Sequence, residues 1–220
     1  MIVIEVCGNH GSGKDTAGEL LQKATLATGM VHLTSFAKPL KEEVAKAFEL
    51  NEEDALRLLW GAKQTKERAT GKLQLFRCLD QNFVNMVYGQ DPDWSAPRSP
   101  REILRHWGTD YRRTQDIDYW VKAMLHHLNQ RNSPQGGLTP PLVTIITDLR
   151  FENELTGIRN NYRTLLWKIE RPEVDNKADD SHSSETQWPH MKHDAVIVND
   201  KTMNLFALKL AIAFRVAVFR

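Results

Sequence analysis

The stretch VCGNHGSGKDTAGEL, residues 6–20, has the residue types and spacing with the clearest chemical meaning in this sequence. Gly8, Gly13 and Lys14 match the pattern GxxxxGK[ST], in which backbone N–H groups and a lysine surround phosphate groups. The match follows an apolar run and precedes a helical pattern, which is the context in which such a loop binds phosphate at a helix N-terminus. The loop residues that we expect to contact phosphate are Gly8, Gly11, Ser12, Gly13 and Lys14.

Asp15 occupies the position where the pattern has Ser or Thr, and Thr16 follows it. Because phosphate repels a carboxylate unless a cation lies between them, one interpretation is that Asp15 and the Thr16 hydroxyl bind a Mg²⁺ ion beside the phosphates. The other interpretation is that Asp15 only caps the helix, since Asp is common near a helix start. The sequence leaves both interpretations open.

A second carboxylate lies at the end of the β-branched run VTIITDLR, residues 143–150. An apolar strand that ends in Asp has the form of a Walker-B strand, whose carboxylate orients Mg²⁺ or its water, so Asp148 is a candidate metal ligand. Asp148 and Arg150 are two residues apart and point the same way in extended backbone, which places a carboxylate and a guanidinium side by side. The alternative is a surface Asp–Arg pair.

The pattern SPREILRHWGTD, residues 99–110, predicts a helix that begins with a capping signal and carries two arginines on one face. Arg101 and Arg105 are four residues apart, and two guanidinium forks suit a doubly charged monophosphate. Gly108, followed by Thr109, is expected to end this helix, where Gly is common. The alternative is a solvated basic face without a ligand.

These motifs need a scaffold that brings strand ends and helix starts together. Short β-branched runs predict strands at 2–7, 31–36, 142–147, 164–170 and 194–200. Helical patterns occur at 38–50, 52–60, 99–107, 119–131 and 151–160, and in the apolar C-terminal stretch. Strands that alternate with helices predict an α/β fold in three layers, a parallel sheet with helices on both faces. We expect one domain, residues 1–220, with a variable insertion at 61–98, helices at 99–131 and a polar lid at 171–193.

The bulk composition argues against several classes of protein. The 220 residues include 29 Lys plus Arg and 28 Asp plus Glu, and a net charge of +1 is not typical of proteins that bind nucleic acid or membrane surfaces. Cys7 and Cys78 give neither a metal-binding spacing nor a disulfide framework. The apolar stretch 205–219 is shorter than the roughly 20 residues of a bilayer span. We therefore expect a cytoplasmic protein without nucleic-acid or membrane partners, and the apolar C-terminal helix is compatible with a homodimer.

Taken in order, these segments resemble the bacteriophage-type deoxynucleoside monophosphate kinases, within the P-loop nucleoside monophosphate kinase group. The resemblance covers nearly the whole chain apart from residues 51–98, and its most specific motifs are GKDT, PRE…GTD and TDxRFxNE. The segments that carry it are GSGKDT (11–16), FAKPLK (36–41), SPREILRHWGTD (99–110), YWV (119–121), ITDLRFENE (146–154), RP (171–172), HSSE (182–185) and VIVND (196–200). It implies a P-loop kinase fold, ATP and Mg²⁺ as cofactors, and a deoxynucleoside monophosphate as the small-molecule substrate.

The resemblance also implies roles for individual residues on the ATP side. In that family Asp and Thr follow the loop lysine, so Asp15 belongs to the pattern. The residues implied to bind ATP or the metal are Lys14, Asp15, Thr16 and Asp148. Arg150 and Glu154 belong to the TDLRFENE turn, of which Glu154 is expected on the substrate side, and Asn199 is implied to lie near the adenine.

For the acceptor, the resemblance makes residues 99–131 the binding helices. The residues implied to lie on the monophosphate side are Arg101, Gly108, Thr109, Arg113 and Trp120. The chain departs from the family pattern at Arg105, where the family favours Gln. The alignment after Gly108 is loose, so that Arg112 and Arg113 can exchange roles.

Two other functions share some of these features. A different small-molecule P-loop kinase, such as one that acts on dephospho-coenzyme A, would have the same fold and a different acceptor pocket. An ATP-binding module that changes shape without transferring phosphate would have the same loop. A lid favours a kinase, because a kinase must exclude water from the reacting phosphates.

Overall fold

The computed structural model describes residues 1–133, 140–172 and 188–219. The residues form two compact units: unit 1 comprises Met1–Phe36 and Val121–Arg220, and unit 2 comprises Ala37–Trp120. The sequence predicted a single domain. It gives no linker signal at this division, because the second boundary falls inside a helix, between Trp120 and Val121.

Unit 1 contains a five-stranded sheet in which all the strand pairs are parallel. The strands are β1 Ile2–Cys7, β2 Val31–Thr34, β3 Val143–Ile146, β4 Arg163–Glu170 and β5 Ala195–Val198. Their order is β2-β3-β1-β4-β5, so that β1 is central, with Ile4 opposite Ile145 on β3 and Leu165 on β4. The predicted α/β fold with a parallel sheet is confirmed.

The helices, numbered in chain order, connect these strands and build unit 2. Those of unit 1 are α1 Lys14–Ala24, α8 Tyr119–Asn132, which begins in unit 2, α9 Glu152–Arg159 and α10 Met203–Phe219. Those of unit 2 are α2 Ala37–Ala47, α3 Glu52–Ala55, α4 Lys63–Glu67, α5 Gln81–Gln90, α6 Pro100–Arg105 and α7 Arg113–Gln115. Two π-helical segments continue α3 and α6, at Leu56–Trp60 and His106–Arg112.

The side chains of β1 alternate between two buried faces of the sheet. One face packs with α1 and α10 into the apolar core of unit 1. The β1 residues of this face are Ile2, Ile4 and Val6. The other face carries Val3, Glu5 and Cys7, which are all fully buried. Glu5 therefore places a carboxyl group in an otherwise apolar strand.

The C-terminal helix α10 is apolar on almost its whole circumference. Phe206, Leu210 and Phe214 face the core, whereas other large apolar side chains of the helix are exposed. The exposed residues that share one face are Leu208, Ile212, Val216 and Phe219. Across residues 1–133, 140–172 and 188–219, none of the helices combines the length and apolar character that a bilayer span requires.

The prediction that residues 61–98 are irregular was wrong in part, since α4 and α5 lie there. The signal was weak because α5 contains Gly89 and several amides, yet Phe83, Val84 and Val87 have helical spacing and are buried. Phe83 packs against Trp107 with the ring centroids 4.5 Å apart. This part of the chain therefore contributes to the core of unit 2.

The prediction that Gly108 ends its helix was also wrong. Helix α6 begins at Pro100 with the predicted capping box, in which the Ser99 side chain accepts from the Glu102 N–H. The helical backbone then passes through Gly108 in the π-helical segment and continues to Gln115. Gly108 is buried, so its lack of a side chain serves close packing within unit 2.

Two sequence predictions fall largely outside the described residues. The proposed lid at 171–193 includes residues 173–187, among them the HSSE motif, and the predicted loop at 132–141 includes residues 134–139. These expectations stay predictions.

Candidate active site

The glycine-rich loop lies at the carboxyl end of β1, directly before α1. Its glycines have φ angles of 142° at Gly8, 80° at Gly11 and 103° at Gly13, which other residues rarely adopt. A Cβ atom at Gly8 would collide with the carbonyl oxygen of Ile169, and one at Gly13 would lie 2.7 Å from Asn199 Nδ2. The backbone path of the loop therefore requires glycine at both positions.

Lys14 is the first residue of α1, and its ammonium group bonds back to the loop. The Nζ atom donates to the carbonyl oxygens of Gly8 at 2.7 Å and Asn9 at 2.8 Å. The loop thus holds the lysine charge at the N-terminus of a helix, where the backbone dipoles also favour an anion. This is the arrangement that the phosphate-loop pattern predicts.

Asp15 lies in the first turn of α1, but it does not act as the helix cap. The capping position is Gly13, without a side-chain hydrogen bond, and the Asp15 carboxylate is exposed. Its Oδ1 atom instead accepts a hydrogen bond from Thr147 Oγ1 at 2.8 Å. Since Thr147 precedes Asp148, this contact joins the phosphate loop to the end of β3. The geometry favours the metal-site interpretation of Asp15, which stays a prediction.

A cleft of about 40 Å³ at the carboxyl ends of the strands brings several predicted residues together. Its lining includes Gly8, Lys14, Asp148 and Arg150. The Asp148 Oδ1 atom accepts from the backbone N–H of Phe36 at 2.7 Å, which orients this carboxyl group. Strand ends of an α/β sheet are where such proteins bind their ligands.

Glu154, predicted on the substrate side, occupies a capping position in unit 1. It is buried, and its Oε2 atom accepts from the backbone N–H groups of Arg150 at 2.9 Å and Phe151 at 3.0 Å. These two donors directly precede α9, whose first residue is Glu152. Glu154 therefore holds the turn that carries Arg150, and a contact between Glu154 and substrate stays a prediction.

Glu5 lies on the same side of the sheet as this turn. Its side chain is fully buried, and neither of its carboxyl oxygens has a hydrogen-bond partner among the described residues. Burial raises the Glu5 pKa well above its ordinary value of 4.5, and the negative charges of Glu154 and Asp148 raise it further, while Arg159 lowers it. Burial, and secondarily the acidic groups Glu154 and Asp148, therefore favour the protonated form of Glu5.

Asn199 directly follows β5 and braces the phosphate loop. Its Nδ2 atom donates to the carbonyl oxygen of Ser12 at 3.0 Å, and its backbone N–H donates to Glu170 O at 2.7 Å. Ser12 itself is buried. The structure thus brings Asn199 to the loop, and its predicted contact with adenine stays a prediction.

Arg101 and Arg105 lie on α6 of unit 2 with side chains that are 58% and 62% exposed. Arg101 Nε lies 3.6 Å from a Glu67 carboxylate oxygen, and Arg105 Nη1 lies 3.5 Å from one of Asp110. Exposed ion pairs at such distances contribute little. Arg105 Nη2 also lies 3.0 Å from His106 Nε2. The interpretation of a solvated basic face stays open beside the monophosphate interpretation.

The other residues predicted on the acceptor side also lie in unit 2. Trp120 is almost fully buried and donates its Nε1–H to the carbonyl oxygen of Gly108 at 3.0 Å. Thr109 is exposed in the π-helical segment, and Arg113 is the first residue of α7. The structure therefore brings Gly108 and Trp120 together through packing, and their contacts with substrate stay predictions.

Sequence reasoning missed Glu43, an acidic side chain of unit 2 that accepts from three other side chains. Its carboxylate accepts from Trp107 Nε1 at 2.9 Å, Arg112 Nε at 3.0 Å and Tyr119 Oη at 2.5 Å. No motif marks Glu43, because in the sequence it is one of several charged residues on the polar face of a helix. The role of Thr147 was also missed, although it lies within the TDLR segment that the sequence singled out.

His10 and Trp188 are two further residues of the cleft that the sequence did not predict. Both side chains line the cleft. Trp188 is buried, and its ring centroid lies 5.6 Å from the Lys168 Nζ atom. Trp188 belongs to a short 3₁₀-helix, Trp188–His190. No spacing signal connects it with the phosphate loop, because only the fold brings it there.

The donor set near the loop fits Mg²⁺, which prefers oxygen ligands. Asp15 and Asp148 supply carboxylates, and Thr16 supplies a hydroxyl. Within the part of the chain that the structure describes, no group of three His, Cys, Asp or Glu side chains could hold an ion by itself. Mg²⁺ is commonly held by one or two carboxylates together with substrate phosphates, so the set fits an ion that arrives with a nucleotide.

The site defines a class of protein. A glycine-rich loop at the first strand–helix turn of a parallel sheet, with a strand-end aspartate beside the loop lysine, is the site of a phosphate-loop nucleotide-binding protein. The family model for deoxynucleotide monophosphate kinase matches residues 64–210, more than half of the chain. The chain belongs to this family and is a kinase, which confirms the resemblance found in the sequence. The match includes residues 64–98, which that resemblance left out.

Comparison with solved structures finds a dephospho-CoA kinase from Campylobacter jejuni that is similar over 99% of this chain and 98% of that one. The TM-score is 0.46 and the sequence identity 12%. A likeness of this size transfers neither the substrate nor the mechanism of that enzyme. No curated protein matches the sequence.

Proposed function

We propose that this kinase transfers the γ-phosphoryl group of ATP to the 5′-phosphate of a deoxynucleoside monophosphate, giving a deoxynucleoside diphosphate and ADP. The proposal rests on membership of the deoxynucleotide monophosphate kinase family. The observation that supports ATP as the donor is the cleft in which Gly8 and Lys14 meet Asp148 and Arg150. Its lining offers both a lysine and a guanidinium to phosphate charge.

The loop acts by positioning the donor and neutralising its charge. Phosphoryl transfer needs little covalent work from a protein, because the reacting oxygens must mainly be aligned and their charge stabilised. We assign phosphate contacts to the loop backbone and Lys14, and stabilisation of the transferred group to Arg150. The acceptor is already an anion, so no strong general base is required.

Asp15, Thr16 and Asp148 are the residues that we propose to hold Mg²⁺ with the nucleotide. When bound, the ion supplies charge neutralisation between donor phosphates and these carboxylates. The chain's own contribution is orientation: Thr147 donates to Asp15, and the Phe36 N–H donates to Asp148. These hydrogen bonds hold the two carboxyl groups before any ligand binds.

The family match favours a deoxynucleoside monophosphate kinase over the two alternatives that the sequence left open. A dephospho-coenzyme A kinase would not be expected to match the deoxynucleotide monophosphate kinase model over residues 64–210. An ATP-binding switch without transfer would not be expected to match a kinase family model over residues 64–210 either. Both would be revealed by the absence of diphosphate product.

The experiment that tests the proposal is a transfer assay with ATP, Mg²⁺ and each of the four common deoxynucleoside monophosphates. We expect a diphosphate product with at least one of them. The Lys14→Ala variant should lower turnover by about 10³-fold, because phosphate contacts of this kind contribute about 4 kcal/mol. Lys23→Ala is the matched control, since Lys23 is exposed in the last turn of the same helix. A folded Lys14→Ala protein with normal turnover would contradict the phosphate-loop assignment.

As a further partner we propose a second copy of this chain, bound through the exposed face of α10. The face consists of four large apolar side chains that lie on successive turns, and α10 has no acidic residue. The segment 173–187, which lies outside the described residues, contains only Val174 and Ala178 as apolar residues. A second α10 face matches this surface better than so polar a segment does.

A further inference from the structure

Glu43 connects three segments of unit 2 through one carboxylate. It lies on α2, whereas its donors Trp107 and Arg112 lie on the π-helical segment and Tyr119 begins α8. Each of these three residues donates a hydrogen bond to Glu43, at distances of 2.5–3.0 Å. Hydrogen bonds to a charged acceptor are stronger than neutral ones, so Glu43 holds the relative positions of its donors.

Arg112 is less exposed than Arg101 and Arg105, the two arginines of α6 that the sequence offered for the acceptor. Its guanidinium lies 5.4 Å from the ring centroid of Trp107, 4.7 Å from that of Tyr111 and 5.0 Å from that of Tyr119. Only 20% of its side chain is exposed. Three aromatic faces and one carboxylate restrict its rotamers, so ordering the group on ligand binding costs little.

The Nη nitrogens of Arg112 make weaker contacts than its Nε nitrogen does. Nε donates to Glu43 at 3.0 Å, whereas Nη1 lies 3.4 Å from Gln115 Oε1 and Nη2 lies 3.8 Å from Asp80 Oδ2. Gln115 is exposed. Glu43 thus holds the guanidinium through Nε, while the two Nη nitrogens make only long contacts. Two such Nη nitrogens can donate in parallel to two oxygens of a phosphate group.

The two carboxylates near Arg112 do not depend on it for their partners. Glu43 also accepts from Trp107 and Tyr119, and Asp80 accepts from the backbone N–H groups of Asn82 and Phe83 at the start of α5. Asp80 further accepts from the hydroxyl of Tyr111 at 2.9 Å. Their negative charge is thus stabilised by several donors, which leaves the Arg112 charge partly available to an anion.

We propose that Arg112 binds the phosphate of the deoxynucleoside monophosphate, and that Glu43 is the positioning residue that holds Arg112 for this contact. The inference rests on the proposed function and adds two residues to its acceptor side. Arg101 and Arg105 are more exposed and must lose more rotamer freedom to bind the same group. Arg112 is therefore the better preorganised of the candidate forks.

The test compares affinities for a ligand with and without its phosphate. Calorimetry measures binding of the deoxynucleoside monophosphate that the wild-type protein binds most tightly, and competition measures binding of the matching deoxynucleoside. For Arg112→Ala we expect monophosphate affinity to fall at least about 10-fold and deoxynucleoside affinity to change by less than about 2-fold. Arg112→Lys should recover part of the loss, because it keeps the charge and loses the fork.

Glu43→Gln tests the positioning role. It keeps the size of the side chain and an acceptor oxygen, so the fold should persist. We expect monophosphate KM to rise about 3- to 10-fold while the KM for ATP stays unchanged. Glu42→Gln and Arg77→Ala are matched controls: Glu42 is the exposed neighbour on α2, and Arg77 lies 5.2 Å over the Phe76 ring in the same unit.

Each outcome decides between this inference and its rivals. Equal loss of monophosphate and deoxynucleoside affinity in Arg112→Ala would assign Arg112 a structural role and overturn the inference. Unchanged monophosphate affinity in Arg112→Ala would overturn the inference, and a loss in Arg113→Ala would then assign the contact to the neighbouring arginine. A wild-type protein that binds monophosphate through Arg112 but forms no diphosphate would contradict the proposed function and leave this inference standing.

Discussion

Asp15 illustrates how one residue connects two halves of a site. The loop pattern has a hydroxyl at this position, and the structure shows a carboxylate that accepts a hydrogen bond from Thr147 at the end of β3. A carboxylate in that place is compatible with a cation shared with phosphate, and this role of Asp15 stays a prediction. The helix-cap interpretation loses support, because the helix begins at Lys14 without a side-chain cap.

We expect Asp15→Asn to raise the Mg²⁺ concentration needed for half-maximal turnover by about 10-fold or more, since lost ligands and their supports typically weaken metal sites by such factors. The amide oxygen of the substituted side chain can still accept from Thr147, so the fold should be unaffected. The comparison variant is Thr147→Val, which removes the hydrogen bond and keeps the charge. Titration of turnover against Mg²⁺ measures both. An equal effect of the two variants would indicate that orientation, and not charge, is what Asp15 provides.

Glu5 predicts a pH dependence of stability. Its pKa in the folded protein is raised by burial and by Glu154, whereas in the unfolded chain it is near 4.5. Above the unfolded pKa the unfolded state therefore binds fewer protons at this residue, so Glu5 destabilises the fold increasingly as pH rises, until the pH reaches the folded pKa.

We therefore expect Glu5→Gln to be more stable than the wild type at neutral pH and closer to it near pH 4.5, with the difference growing by up to about 1.4 kcal/mol per pH unit. Urea unfolding at several pH values measures this difference. Glu19→Gln, at an exposed position on α1, is the control and should show no such trend. A Glu5→Gln protein that loses stability at neutral pH would mean that the carboxyl group has a favourable partner.

At the scale of elements, Asp80 caps the N-terminus of α5 and also binds a side chain from another segment. Asp80 accepts from Asn82 N and Phe83 N at 3.1 Å each, and from the Tyr111 hydroxyl. We expect Asp80→Ala to lower the free energy of unfolding of the protein by about 2 kcal/mol, because both the cap and the hydroxyl lose their acceptor. Asp80→Asn keeps an acceptor and should cost less than half as much. Denaturant unfolding of both variants checks the order, and equal losses would show that charge and not capping is responsible.

Some helices and strands could be predicted from the sequence, and others could not. Strands β1 and β3, the loop between β1 and α1, and the capping box of α6 follow from local patterns, and each was predicted close to its observed bounds. The π-helical segment at Gly108 was not predictable, because Gly usually ends helices and only packing within unit 2 explains its interior position. Helix α5 was missed since Gly89 and several amide side chains interrupt its apolar pattern.

Some residues of the candidate site could be predicted from the sequence, and others could not. Gly8, Lys14 and Asp148 are recognisable because spacing along the chain encodes their positions. Glu43 and Trp188 are not, because their neighbours are distant in sequence: Glu43 contacts Trp107, 64 residues away. Such residues become visible only when the fold brings the elements together.

At the scale of the whole molecule, the exposed face of α10 bears on assembly. Its four large apolar residues are each 43–68% exposed. With about 200 Å² for a fully exposed large side chain they present roughly 450 Å², so two copies would bury roughly 900 Å². Exposed Ala211 and Arg215 would add to this area, which approaches the roughly 1,000 Å² of a specific interface.

We expect a dimer at micromolar concentration, and Ile212→Glu should convert it to a monomer, since a buried unpaired charge is costly. Light scattering after size-exclusion chromatography measures the mass. Leu26→Glu is the control, because Leu26 is 74% exposed and lies elsewhere in unit 1. The proposed pairing fails if the wild type is a monomer or if Ile212→Glu remains a dimer.

The hydrogen bonds from Lys14 to the carbonyl oxygens of Gly8 and Asn9 have a consequence for selectivity. An incoming anion competes with two acceptors that the loop already provides, so a single phosphate group gains little by replacing them. A triphosphate chain gains more, because several of its oxygens can engage the lysine, the backbone N–H groups and the helix terminus at once. The two carbonyl oxygens thus compete with an incoming anion for Lys14, and a ligand with several phosphate groups overcomes this competition more readily than a single phosphate does. We expect inorganic phosphate to bind the loop more weakly than a nucleoside triphosphate does.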